Sequence, residues 1–123
     1  MLRLKWYPDL YTGEGAAKKR RKIVSKLNRN AGMLDIYLVT LSNNPSNLLE
    51  IISSAYLQQK AVRRNLPMIV GIGKGYEEAR QLAVSIIEEV YRATGAFDVR
   101  AYLDPGTSEK NRGQEKKQKQ ERK

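Results

Sequence analysis

The sequence predicts a single small α/β domain: a four-stranded, mostly parallel sheet packed by three helices, in the order β-α-β-α-β-α-β. Three observations carry that expectation. Short apolar runs of strand length alternate with stretches whose apolar residues recur at helical spacing. Glycine punctuates most of the changes between them, at positions 13, 15, 32, 73, 75 and 95. Two segments far apart in the chain also read alike. One is Gly13-Glu14-Gly15, a helix, then Gly32-Met33-Leu34-Asp35-Ile36; the other is Gly73-Lys74-Gly75, a helix, then Gly95-Ala96-Phe97-Asp98-Val99. Duplicated βαβ halves would produce that match. So, in part, would the need of any βαβ unit for a turn glycine and a C-cap glycine.

Each element has its own local reason. Leu2, Leu4 and Trp6 alternate with Arg3, Lys5 and Tyr7, the pattern of a half-buried strand, and Pro8 ends it. Gly13-Glu14-Gly15 opens a polar helix to about Asn30, with Ile23, Val24 and Leu27 as a thin apolar stripe and Gly32 as its stop. Residues 34–41 are apolar at both parities, which marks a central strand. Asn44-Pro45 reads as N-cap and first residue of a second helix reaching about Arg64, with Leu48, Ile51, Ile52, Ala55, Tyr56 and Val62 inward. Residues 67–72 form a short buried strand. Gly73-Lys74-Gly75 opens the third helix, about Tyr76–Thr94, whose stripe of Ala79, Leu82, Ala83, Ile86, Ile87 and Val90 is the clearest amphipathic signal. Gly95 ends it. Phe97, Val99, Ala101 and Leu103 then alternate with polar neighbours as a last half-buried strand.

From Asp104 onward the chain has no Val, Ile, Leu, Phe, Tyr or Trp, and it reads as a disordered basic tail after a domain of residues 1–103. The net charge is +10, from 23 Lys and Arg against 13 Asp and Glu. The tail holds seven of those cations and four of those acids, so the domain itself keeps +7. The chain has no Cys and no His. Thiolate zinc sites, cysteine nucleophiles and Ser-His-Asp triads are thereby excluded within it. No stretch approaches the ~18 apolar residues that a membrane-spanning helix needs. A cytoplasmic protein with no membrane partner is expected.

The chemistry-bearing features are few. Lys18, Lys19, Arg20, Arg21, Lys22, Lys26 and Arg29 place seven cations on the first helix, with no acid between Ala16 and Leu34. Cations in the first turns oppose the helix dipole, and an anion would relieve them. These seven are the candidate nucleic-acid or phosphate-binding residues. The alternative is a solvated helix whose charge serves solubility. Gly13, Gly15, Gly73, Lys74 and Gly75 are candidate ligand-loop residues. G-x-G-x-G is not the dinucleotide pattern, however, and Glu14, Glu77 and Glu78 would repel an anion. Close strand–helix packing explains the second set equally well. Rows of Arg3, Lys5, Tyr7 and of Arg100, Tyr102 would suit base stacking if one sheet face were open, but three helices are expected to cover both faces.

Asp35 and Asp98 would meet only if the repeat is real, and nothing else gathers around them. No catalytic residue, metal site or cofactor is assigned, and the chain is read as a binding protein rather than an enzyme. Nucleic acid is the expected partner. A protein partner or a second copy, held through Trp6, Tyr7, Tyr11 and an edge strand, is the competing class. A phosphate or nucleotide ligand in the glycine loops is a third.

Overall fold

The computed structural model describes residues 4–31, 33, 35–44 and 46–104, and these form four strands and five helices. The elements are β1 (Trp6–Thr12), α1 (Glu14–Ala17), α2 (Arg20–Asn28), β2 (Ile36–Leu41), β3 (Leu49–Ser53), a 3₁₀ turn (Ser54–Gln58), α3 (Lys60–Asn65), β4 (Ile69–Lys74), α4 (Tyr76–Thr94) and α5 (Val99–Leu103). Leu2 and Arg3, the Gly32 stop, Leu34, Pro45 and tail residues 105–123 lie outside the described residues.

The sheet order is β1-β4-β2-β3. β1 runs parallel to β4, whereas β2 is antiparallel to both β4 and β3. The sheet is therefore mixed, not mostly parallel. The correction has two local causes. The first is residues 49–53, expected as part of a long second helix. They pair with β2 from Leu41↔Leu49 to Tyr37↔Ser53. Adjacent Ile51 and Ile52 favour a strand, and a short apolar run satisfies either period. Asn44 does not cap a helix there: its side-chain oxygen accepts from the Ser46 N–H at 2.9 Å, closing an Asx turn. The Glu50 carboxylate fastens the turn by accepting from the Ser42 hydroxyl at 2.6 Å. Helix resumes only after Ser53, whose hydroxyl caps the 3₁₀ turn.

The second cause is residues 97–103, expected as a strand. Val99–Leu103 is helical, and the Asp98 carboxylate caps it by accepting from the Ala101 N–H at 3.2 Å. Val99 and Leu103 fit the alternation of a strand, but they are also four apart. They are the two buried residues of α5, while Phe97 and Ala101 are exposed.

β1 also differs from expectation. It begins at Trp6, later than the predicted residues 2–7, and it carries Pro8 inside it. An edge strand tolerates that proline, and the register with β4 slips between Trp6 and Tyr11.

Helices cover both faces of the sheet. On one face Ile23 and Leu27 of α2, Ala16 of α1 and Leu57 of the 3₁₀ turn pack on Leu10, Ile36, Leu38, Ile69 and Ile72. On the other, Ala79, Ala83, Ile86 and Val90 of α4, with Val99 and Leu103 of α5, pack on Val39, Leu41 and Val70. Ile36 and Leu38 face one layer and Val39 and Leu41 the other, which is why β2 is apolar at both parities.

The repeat is half preserved. β1 and β4 lie side by side, and the Gly13 N–H donates to the Ile72 carbonyl at 2.9 Å, so the two glycine loops are neighbours. Beyond the loops the units diverge: α2 and α4 lie on opposite faces, and the segments that follow are β2 in one case and α5 in the other.

Candidate phosphate-contact surface

The basic helix is not continuous. α1 ends at Ala17, Lys18 and Lys19 form a break, and α2 starts at Arg20. In an unbroken helix at 100° per residue, positions 19 and 20 would fall on the face that carries Ala16, Ile23 and Leu27. That face is buried. The break turns both cations outward, and Lys18, Lys19, Arg20, Arg21 and Lys22 are all exposed. Arg29 is exposed and Lys26 half-exposed.

The C-terminal end of α2 is closed at the backbone. Asn30 takes φ +64°, and the Ala31 N–H donates to the Lys26 carbonyl at 2.8 Å, a Schellman-type ending. α2 therefore ends at Asn28 and is closed by the turn at Asn30, while the Gly32 expected to stop it lies outside the described residues. Arg63 of α3, almost fully buried, donates from its guanidinium to the Leu27 carbonyl, to the Leu57 carbonyl at 3.3 Å and to the Asn30 side chain at 3.4 Å. A cation at a helix C-terminus is favourable. At the N-terminus the opposite holds: no side chain caps α2 and no acid lies in its first turn.

The first glycine loop already holds an anion, and it belongs to the protein. The Glu78 carboxylate, from the first turn of α4, accepts from the Gly15 N–H at 3.0 Å, the Ala16 N–H at 3.2 Å and the Lys74 N–H at 2.9 Å. A Cβ at Gly13 would stand 2.2 Å from a Glu78 carboxylate oxygen, and one at Gly15 2.8 Å from the other. Gly13 and Gly15 thus make a cradle of the kind phosphates use, filled by a side chain 63 residues away. The glycines of β4 serve packing. A Cβ on Gly73 would stand 2.8 Å from the backbone nitrogen of Ala79, and one on Gly71 2.8 Å from Leu82, so α4 sits closer to the strand than any side chain permits. Lys74 is exposed, and Gly75 precedes α4 with φ +87°.

Other singled-out residues are occupied structurally. Trp6 donates its indole N–H to the Asn28 side chain at 2.9 Å, fixing β1 to the end of α2. Tyr7 and Tyr11 stack at 5.8 Å and pack toward α4. The Tyr11 hydroxyl donates to Glu89 at 2.7 Å. Burial first, and then that hydrogen bond, push its pKa well above the usual tyrosine value. Asp35 precedes β2, whereas the helix capped by Asp98 is tied through Arg100 to the Ser42 carbonyl beyond the far end of that strand. The two acids stand at opposite ends of β2.

The Glu78 bridge and the buried Arg63 are what sequence reasoning missed. Glu78 in the first turn of α4 was visible only as dipole compensation. Nothing local indicates that it reaches the other loop.

Among the described residues no group of three or more Asp or Glu is placed to hold a metal, and no helix is long and apolar enough to cross a membrane. Comparison with protein-family models, with curated proteins and with solved structures finds no match.

Proposed function

We propose that this chain binds nucleic acid through its phosphate backbone, on the face of the sheet that carries α2 and α3. One observation carries the reading. None of the seven cations from Lys18 to Arg29 has a carboxylate within 4.0 Å among the described residues. The same layer extends the positive surface through the exposed Lys60 and Arg64 of α3. Residues 15–34 and 51–76 contain no acid at all. Around α2, Lys18, Lys19, Arg20, Arg21, Lys22 and Arg29 share one open surface of about 1110 Å³ with Val24 and Asn28. Unpaired cations crowded at the positive end of a helix dipole raise the energy of the free protein, and phosphates would lower it. The binding is then sequence-independent and strongly salt-dependent. The glycine loops lend no support to a nucleotide ligand, since Glu78 fills the cradle.

The test is fluorescence anisotropy of duplex DNA, single-stranded DNA and RNA over a salt series, with the full chain and with a variant carrying Gln at positions 18 to 22. Replacing the five cations should weaken binding alike for all sequences. On duplex DNA the slope of log K against log salt should become shallower by about 0.9 for each phosphate that the variant no longer neutralises. The melting temperature should stay level or rise, because the substitution relieves the dipole. Equal affinity of the two proteins would overturn the reading.

A further inference from the structure

At the far end of the sheet from the glycine loops, a second cluster of cations lines a cleft of about 540 Å³. Lys5 comes from the segment before β1, Arg64 from α3 and Arg100 from α5, and residues 66 to 68 supply an apolar floor. Three cations from three separate elements repel one another, and Asp104 is the single acid among the described residues that line the cleft. Arg100 is held in place: its guanidinium donates to the Ser42 carbonyl at 2.8 Å, and its other terminal nitrogen lies 3.9 Å from the Asp104 carboxylate. Lys5 and Arg64 have no carboxylate within 4.0 Å among the described residues. Among the described residues that line it, the four charged groups sum to +2.

We propose that this cleft binds a phosphate monoester, with Arg64, Lys5 and the pinned Arg100 on the phosphate and the apolar floor under the organic group it carries. A phosphate dianion matches the excess charge, and the volume lies within the range of small-ligand sites. A fixed guanidinium loses little freedom on engaging an anion, which favours Arg100 as the anchor. Asp104 competes with the ligand for that guanidinium. The site does not depend on the basic helix, since it uses none of its residues. Two sources carry this chemistry: a free nucleotide, and the 5′-phosphorylated end of a nucleic-acid strand.

The experiment is an amide NMR titration of the full chain with inorganic phosphate, adenosine 5′-monophosphate and adenosine, each to about 10 mM, which reaches millimolar affinities. Shifts should gather at Lys5, Arg64, Met68 and Arg100 for both phosphates, be stronger for the monophosphate, and be absent for adenosine. Arg64→Gln should weaken binding at least fivefold, and it leaves every hydrogen bond described above intact. Asp104→Asn should tighten binding severalfold. The variant with Gln at positions 18 to 22 should bind the monophosphate as the native chain does, which separates failure here from failure of the nucleic-acid reading. Single-stranded oligonucleotides with a 5′-phosphate or a 5′-hydroxyl distinguish the sources: a preference for the phosphorylated end assigns a strand terminus, and equal binding assigns the free nucleotide. Absence of shifts in the cleft, or shifts unchanged by Arg64→Gln, would overturn the proposal.

Discussion

The two strand–glycine–helix units start alike and end as opposites. β1 and β4 are parallel neighbours, each followed at once by glycine and a helix. The second helix, α4, carries Glu77, Glu78, Glu88 and Glu89 against Arg80 and Arg92, and it pairs Arg80 with Glu77 at 2.6 Å and Arg92 with Glu88 at 4.0 Å. In the first unit the acid Glu14 opens α1, but α2 carries cations and no acid, and it has no ion pair among the described residues. One helix settles its charge internally and the other presents it outward. The excess charge of the domain is therefore sorted by face rather than spread over the surface. The units are also unequal partners. The second lends its Glu78 to the first, accepting from the Gly15 and Ala16 N–H groups.

Substitutions at the glycines and their neighbours probe that asymmetry. Gly73→Ala should be the most damaging, because its Cβ would press on the Ala79 backbone and α4 would have to shift as a unit. A loss of more than about 2 kcal/mol in denaturant unfolding is expected. Glu78→Ala comes next. Removing a carboxylate that accepts three backbone N–H bonds should cost about 2 kcal/mol, read as a melting temperature lower by about 10 °C. Gly13→Ala should destabilise comparably alone, by displacing Glu78, and far less in the Glu78→Ala background. Strict additivity of the pair would break the account of the loop as a cradle.

Tyr11→Phe tests the contact between β1 and α4 through pH. The native tyrosine has a raised pKa, so the stability it contributes is fully present below its unfolded value near 10. It is lost as pH rises through the higher folded value. The native melting temperature should fall at alkaline pH more steeply than that of Tyr11→Phe. Arg80→Ala is the smallest change. Its ion pair with Glu77 is exposed, and no shift of the melting temperature at neutral pH is expected. A clear loss there would mean that the pairing on α4 is structural rather than a way of settling charge.

Much of this architecture could be read from the chain. α4 spans Tyr76–Thr94 as its stripe predicts, and the central position of β2 follows from its double-sided apolarity. Residues 49–53 and 99–103 defeat such a reading for one reason. Over five residues, apolar positions satisfy helix and strand at once, and the decision falls to contacts made elsewhere: the β2 partner for one, the Asp98 cap for the other. The seven cations are legible because exposure needs no partner. Their break at Lys18–Lys19 is not, because it depends on which face of α1 is buried. Glu78 and Arg63 are illegible in principle, since each acts on backbone atoms far away in sequence.

The sheet order also sets an order in time. β2 and β3 are joined by a short turn, and β4 follows within twenty residues, so these three strands can assemble from near neighbours. β1 must close the longest loop, to β4, with an interrupted register, and is expected to join late. As an edge strand with a slipped register, it is expected to open more readily than the inner strands. When it does, Glu78 loses its partners at Gly15 and Ala16, and the basic helix loses its tether at Trp6. The surface that carries the cations would then keep only its anchors at Ile23, Leu27 and Arg63. A ligand that grips that surface would act as the clasp on the N-terminal edge.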